Sequence, residues 1–458
     1  MINKSIVVRI NKPLPSISPA NVAARLYLFM LLILPIHTQI IYVLLPLYTG
    51  LPAEIASIWK EVVLLLVAMI VIADHLVSHK RIAIVPLDVI ILMFLGLMII
   101  YVVASRRNMT TSLYGFRIFA EPIAAYYIAK TASIKFTTIK VWLKYLFYIG
   151  VIIGVWAIFQ AAILGDRFLM DLGYRNTFGR LSTSFYISTY IFQRAVGTLS
   201  SPNTLGIFLQ AVIMIGVYLY HDLSKANRLR YFLSMILLLS ALLYTFSRSA
   251  WIALCISALG YVFMKMDLKN TIGLLAKTGI VIIVIFFVLF VIAEDVTKTI
   301  IFHIINALSL KDPAAVGHIA SLADSFKFSL ENPFGIGLGM SGPRASIRTG
   351  NILNSENSFF IIAFDMGIIG AVIYSLICVM MLISLKNVIK STIDLDLKRF
   401  RTVALLIFIG QMVAWNLLPY IVELEATMIL YALTGLALNH NLESNDQPIR
   451  RSSLTLSS

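Results

Sequence analysis

Apolar residues dominate this chain in long blocks, and the polar ones gather in short stretches between them. The blocks lack the strict apolar–polar alternation of a half-buried strand, so they read as helices rather than as strands of a barrel. A helix that crosses a bilayer needs about 20 predominantly apolar residues. By that length about twelve spans are predicted, over residues 26–48, 58–74, 86–104, 113–130, 141–164, 203–220, 231–247, 249–264, 278–294, 357–383, 402–420 and 423–439. The stretch 231–264 would run about 51 Å as one helix, too long for a single crossing. A turn at Ser247-Arg248-Ser249 is therefore expected, with a short span on either side. The resulting transmembrane domain occupies 26–440. It lies between an N-terminal tail, 1–25, and a polar C-terminal tail, 441–458, expected to be disordered. Two connections are long, 165–202 and 295–356, and the rest are short. Long connections in compact proteins are usually functional or disordered. Within the longer one, TKTIIFHIINAL and VGHIASLADSFKFSL have helix-like apolar spacing and predict two short interfacial helices.

Composition agrees with an all-α polytopic membrane protein. Hydrophobic residues make up 59% and charged residues 13%, against roughly 25% charged in a soluble domain. The charges orient the spans. One set of loops carries Lys80 and Arg81; Lys130, Lys135 and Lys140; Lys225, Arg228 and Arg230; and Lys386, Lys390, Lys398, Arg399 and Arg401. Positive loops face the cytoplasm, which places both termini on the cytoplasmic side of the membrane. The net charge of +15 then reflects topology and anionic lipid rather than nucleic-acid binding. No short apolar stretch with a small-residue cleavage site precedes the first full-length span, so no cleaved signal peptide is expected. Cys255 and Cys378 fall inside spans and read as small apolar side chains. The seven histidines show no metal-ligand spacing, and no metal or cofactor is expected.

Several arginines fall on the other, outer face: Arg106, Arg107, Arg167, Arg175, Arg180, Arg194, Arg248, Arg344 and Arg348. Topology gives no reason for them there. Arginine suits bidentate contact with phosphate, so an anionic ligand such as a lipid-linked diphosphate is one reading and lipid head groups are the other. Arg194 precedes a span in RAVGTLSSPNTLG, and Arg248 occupies the hairpin tip in TFSRSA. A charge that close to hydrocarbon is a functional candidate by default; the plainer reading is an arginine snorkelling to the interface. His318 lies on the amphipathic part of the long outer loop, where it reads as structural or as a titrating group. Glu356 and Asn357 open a span, in SENSFFIIAFDMGIIG. Glu356 either favours the helix dipole beside capping by Asn357 and Ser355 or serves as a general base. Arg117 and Glu121, four apart in one span, are placed to pair. Asp365, Glu423 and Glu425 read as polar gates or packing partners.

Four of these segments, in this order, resemble the O-antigen ligase and polysaccharide polymerase superfamily over roughly 190–385. RAVGTLSSPNTLGIFL resembles its Arg-x-x-Gly followed by Pro-Asn, and TFSRSAWIAL its Ser-Arg hairpin. GHIASLADSFKFSLENPFGIGLG resembles its long outer loop, and ENSFFIIAFDMGIIG follows its His-Asn-x9-Gly-x-x-Gly pattern. This chain departs at Glu356, where the ligases carry His, and at His318, where the loop often carries Arg. Both departures point away from a dedicated lipid A-core ligase and towards a capsule, exopolysaccharide or O-antigen polymerase.

The resemblance implies a metal-independent, inverting helical membrane glycosyltransferase of the GT-C-like class, with its active site on the outer face. Its donor and acceptor would be undecaprenyl-diphosphate-linked glycans, and its partners a chain-length regulator and a flippase of the same pathway. Arg194 and Arg248 would hold the diphosphate, and Glu356, helped by His318, would take the acceptor proton. Asn357, Arg344, Arg348 and Arg117 would support the site. The rival enzyme is a ligase that moves finished glycan to another acceptor. The rival without catalysis is a flippase, which would line a central cavity with charge at mid-membrane depth; here most charges sit at span ends.

Overall fold

A computed structural model describes residues 19–50, 53–79, 84–105, 109–174, 181–187, 192–265, 313–343, 345 and 353–444, together with 298, 301 and 305. It is helical almost throughout. Its longer helices are α1 (Pro19–Gln39), α2 (Trp59–Val77), α3 (Pro86–Ala104), α4 (Met109–Thr131), α5 (Phe136–Phe159), α6 (Pro202–Leu219), α7 (Lys225–Tyr244), α8 (Arg248–Lys265), α9 (Pro313–Glu331), α10 (Ser358–Ser391), α11 (Leu395–Trp415) and α12 (Leu424–Ala437). A two-residue antiparallel ladder, Tyr186–Ile187 with Phe192–Gln193, lies in the connection before α6.

Six helices among the described residues are long and apolar enough to cross a membrane: α1, α3, α5 with its short continuation to Asp171, α6 with its continuation to Asp222, α7 and α10. Others that coincide with expected spans fall short for visible reasons. Helix α2 carries Lys60, Glu61 and Asp74, α4 carries Arg117, Glu121 and Lys130, and α11 carries Asp396, Lys398, Arg399 and Arg401. Helices α8 and α12 are shorter. The span expected at 278–294 lies outside the described residues. Helix α6 is 83% buried along its apolar window, against 22–44% for the other five, so α6 is the centre of the bundle. The others expose Ile100, Val103 and Ile152, as helices solvated by lipid do.

Polar ties mark the two ends of the bundle. At one end Lys130 pairs with Asp88 at 2.7 Å, and Lys140 pairs with Asp222 at 2.5 Å and Asp396 at 2.6 Å. Arg401 is buried there against the Ala437 carbonyl at 2.9 Å. The opposite end gathers the last turns of α1 and α11, the first turns of α2, α4, α8, α10 and α12, and the loops between them.

Helix α10 does not run straight. Gly367 has φ 69° and ψ −175°, a conformation open to glycine alone. The break frees carbonyls in the middle of an apolar bundle, where an unsatisfied backbone group costs several kcal/mol. The glycine-rich turn 333–339 supplies the missing donors. Ile336 N donates to the Phe364 carbonyl at 2.7 Å, Gly337 N to the Asp365 carbonyl at 3.2 Å, and Ile368 N returns a bond to the Pro333 carbonyl at 3.0 Å. The Tyr101 hydroxyl donates to the Met366 carbonyl at 3.2 Å.

Two segments of backbone therefore lie against each other with no room between them. A Cβ on Gly367 would sit 2.2 Å from the Pro333 oxygen, and one on Gly335 2.6 Å from Gly367 N. The turn packs as closely on α4, where a Cβ on Gly115 would lie 2.4 Å from Gly339 N. Gly367→Ala is expected to lower unfolding stability by about 1–3 kcal/mol. Gly96→Ala, at a site with nothing within 4 Å, should leave it unchanged or slightly raised. Thermal denaturation in detergent compares the two.

Candidate functional site

The site is built where α10 begins. Asn357 is the N-cap: its Oδ1 accepts from Phe359 N at 2.8 Å and Phe360 N at 3.2 Å. Its amide nitrogen donates to the Asn416 carbonyl at 3.1 Å. Ser358 donates to the Leu418 carbonyl at 2.9 Å and accepts from Ile421 N at 3.2 Å. The cap thus fastens α10 to the loop between α11 and α12. Glu356 takes no part in capping; its carboxylate meets Nδ1 of His318. The two side chains keep 39% and 35% of their surface exposed, while the Glu356 oxygen that meets His318 is itself buried.

His318 reaches Glu356 because α9 is amphipathic. Its inner face presents Ser325 and Ser329, both buried, and Phe328, whose ring packs on Phe364 at 4.8 Å. The Ser325 hydroxyl donates to Ser355 Oγ at 2.8 Å. Its other face exposes Ile319, Phe326 and Leu330, as expected of a helix lying at an apolar boundary. The companion stretch TKTIIFHIINAL lies almost wholly outside the described residues.

A second cluster forms around two arginines. Arg194 donates from Nε to the Thr245 carbonyl at 2.8 Å, from Nη1 to the Ser184 carbonyl at 2.7 Å and from Nη2 to Asn203 Oδ1 at 2.6 Å. These acceptors are uncharged, so they orient the guanidinium without neutralising it. Burial lowers its pKa most. The Tyr420 phenol opposes the shift and the nearby Arg248 charge adds to it, pushing the value down to about 10. The Arg194 guanidinium is therefore cationic at neutral pH, and the Arg248 charge lies near enough to repel it. Arg248 opens α8, just past a tight turn in which Phe246 has φ 50°. Ser247 and Ser249 flank it and share the Tyr420 hydroxyl, at 3.1 and 2.7 Å. Two neighbouring guanidinium groups suit an anion.

Tyr420 belongs to the same loop that holds the α10 cap. The loop 416–423 therefore ties the arginine pair to the Glu356–His318 pair. Glu423, at its end, accepts from Ser200 at 2.6 Å, and Ser200 lies on the segment that carries Arg194.

Of the remaining candidates, Arg117 is elsewhere. It pairs with Glu121 at 2.7 Å, as its spacing predicts, and also with Glu61, while Lys60 contacts Glu61 at 3.2 Å and Glu121 at 3.4 Å. Arg344 and Arg348 lie outside the described residues. Asp365 proves to anchor the glycine turn: its carboxylate accepts from Gly339 N at 2.7 Å, Ser341 N at 3.0 Å and Ser341 Oγ at 2.6 Å. Tyr420, Lys60 and Glu61 were not singled out from sequence. Tyr420 carries no charge and sits in no recognisable motif. Lys60 and Glu61 read as span-edge charges until α4 is packed beside them.

Residues 233–375 match the family model described as O-antigen ligase. The resemblance read from the motifs is shown over that stretch. It runs from α7 through α8, α9 and the glycine turn into α10, and it includes Arg248, His318, Glu356 and Asn357. Arg194 lies before it. No curated protein matches the chain.

Asn357→Ala removes the cap and should cost about 1 kcal/mol, whereas Asn357→Asp, which keeps an acceptor for Phe359 N, should lose less. Chemical denaturation of the purified protein measures both.

Proposed function

We propose that this chain polymerises undecaprenyl-diphosphate-linked oligosaccharide repeat units at the outer face of the bacterial cytoplasmic membrane, with both termini inside. The observation that carries the reading is the pairing of Glu356 with His318 at the same end of the bundle as the oriented arginine pair. One cluster suits an acceptor hydroxyl, and the other suits the diphosphate that leaves.

The proposed step is one displacement. The acceptor hydroxyl oxygen attacks the anomeric carbon of the donor sugar, and the bond from that carbon to the diphosphate oxygen breaks with its electron pair on oxygen. The hydroxyl proton passes to the Glu356 carboxylate, with His318 at hydrogen-bond contact to orient it and share the charge. Arg194 and Arg248 offset the charge that develops on the leaving diphosphate. Attack from the face opposite the leaving group inverts the anomeric centre. Arg194 is held by three acceptors before any substrate arrives, so little reorganisation is needed in the transition state.

A ligase would use the same machinery on a different acceptor. Glutamate at the position where the resembling ligases carry histidine favours the polymerase. Deletion separates the two: a lost polymerase leaves single repeat units still transferred to their final acceptor, and a lost ligase leaves long unattached chains.

Glu356→Gln keeps the shape and removes the base, and should slow polymer formation about 10²–10⁴-fold in an assay with purified protein and defined lipid-linked repeat units. Full-length polymer at the normal rate would refute the assignment. Arg248→Lys keeps the charge and loses the planar fork; shortened chains on a gel are expected, and unchanged length would count against diphosphate clamping.

A further inference from the structure

Three residues after Arg194 the chain reaches a glycine whose peptide groups are held by side chains. Gly197 has φ 64°, outside helix and strand, and it is buried. A Cβ there would lie 3.1 Å from Ile153 and 3.4 Å from Ala157 on α5. Buried N–H and C=O groups need partners, and two glutamines supply them. Gly197 N donates to Gln160 Oε1 at 2.9 Å, and Gln160 Nε2 donates back to the Gly197 carbonyl at 3.4 Å. Gln39 Nε2 donates to the same carbonyl at 3.1 Å. Both lone pairs of that oxygen are then used.

The two glutamines reach Gly197 from 158 and 37 positions away. Each stands where an α-helix gives way to a π-helical turn. Gln39 closes α1 before Ile40–Leu44, and Gln160 opens Gln160–Leu164 beyond α5. Such turns are rare and recur at functional sites. Gln160 is fully buried, and a polar side chain inside a membrane bundle is costly to keep. Gln39 is braced in its turn. Its neighbour Thr38 donates to Glu425 Oε1 at 2.9 Å, and His37 Nδ1 accepts from Trp59 at 2.9 Å. His37 and Glu425 there adjoin Lys60 and Arg117. Thr198, next to Gly197, donates to the Pro35 carbonyl of α1 at 2.6 Å.

We infer that Gln160 and Gln39 are positioning residues for Arg194, acting through Gly197; the inference rests on the reading of Arg194 and Arg248 as the diphosphate site. The start of the segment is pinned by backbone, with Arg194 N donating to the Phe185 carbonyl at 2.8 Å and Ala195 N to the Tyr244 carbonyl at 2.9 Å. The glutamines pin the point where the segment turns towards α6. A guanidinium aligned on Thr245, Ser184 and Asn203 keeps that alignment only while the backbone beneath it stays in register. Donors ordered in advance bind an anion without the cost of ordering them on its arrival. Glutamine suits the task. Its amide carries a donor and an acceptor in one plane, matching the N–H and C=O of a single residue, and it adds no charge beside the arginines.

The test is calorimetric titration of the full-length protein in detergent with undecaprenyl diphosphate. Gln160→Met keeps the length of the side chain and removes both amide partners; it should weaken binding about tenfold. Gln39→Met removes one of the two donors to the carbonyl and should weaken binding about threefold. Gln210→Met is the matched control. Gln210 is equally buried, on α6, and donates to Ser257 on α8 at 2.9 Å, so its loss should leave binding unchanged. A positioning role works through Arg194, and a merely structural one does not. In an Arg194→Lys background, where the planar fork is already lost, Gln160→Met should cost less than about twofold more. An equal loss in both backgrounds would overturn the inference. If Gln160→Met does not fold, Gln39→Met decides by the same comparison. Weakened binding in Arg194→Lys with full binding in both glutamine variants would overturn the clamp alone. Wild-type binding in Arg194→Lys would instead overturn the diphosphate reading, and the clamp's role with it.

Discussion

In an apolar bundle no water reaches a broken helix, so every freed backbone group must find a partner in the protein. Helix α10 breaks at Gly367, and the turn 333–339 is the partner. Much of the site follows from that exchange. It fixes the path of the chain from α9 into α10, places the short first part of α10 beside α9, and brings Asp365 under the turn, where three donors hold its carboxylate. Glu356 and His318 lie more than thirty positions apart in the sequence, and this packing makes them neighbours.

Charge is distributed to match. The end of the bundle marked by Lys130, Lys140 and Arg401 pairs its cations with carboxylates or buries them among carbonyls. The opposite end leaves Arg194 oriented by neutral oxygens and sets it beside Arg248. Repulsion between like charges is tolerated there because Tyr420, Ser247, Ser249 and Asn203 fix the surroundings. The loop 416–423 joins that cluster to the α10 cap, so the arginine pair and the Glu356–His318 pair share one support.

Much of this was legible in the sequence for physical reasons. Long apolar blocks force helices, and the Ser-Glu-Asn-Ser sequence before such a block signals a cap, which Asn357 provides. Amphipathic spacing over VGHIASLADSFKFSL gave α9, and four-residue spacing gave the Arg117–Glu121 pair. Other features were hidden. A glycine pair inside an apolar run does not say which member breaks the helix; only the approach of the 333–339 backbone selects Gly367. The convergence of His37, Lys60, Glu61, Arg117 and Glu425 joins residues up to 388 positions apart, and no local pattern encodes it. About twelve spans were expected from length alone; six helices among the described residues are long and apolar enough to cross a membrane, and several of the others carry charges that face one another.

The seam between Gly335, Gly339, Gly367 and Gly115 has one more consequence. It is made of backbone pressed on backbone, and none of these positions can accept even a methyl group without displacing a neighbour. Position 356 is different: it is more than a third exposed and its carboxylate meets His318, while Asn357 provides the cap. The side chain at this position can therefore be exchanged while the frame cannot. A lineage built on such a frame is free to vary the side chain presented at 356 by single substitutions, without redesigning the fold that presents it.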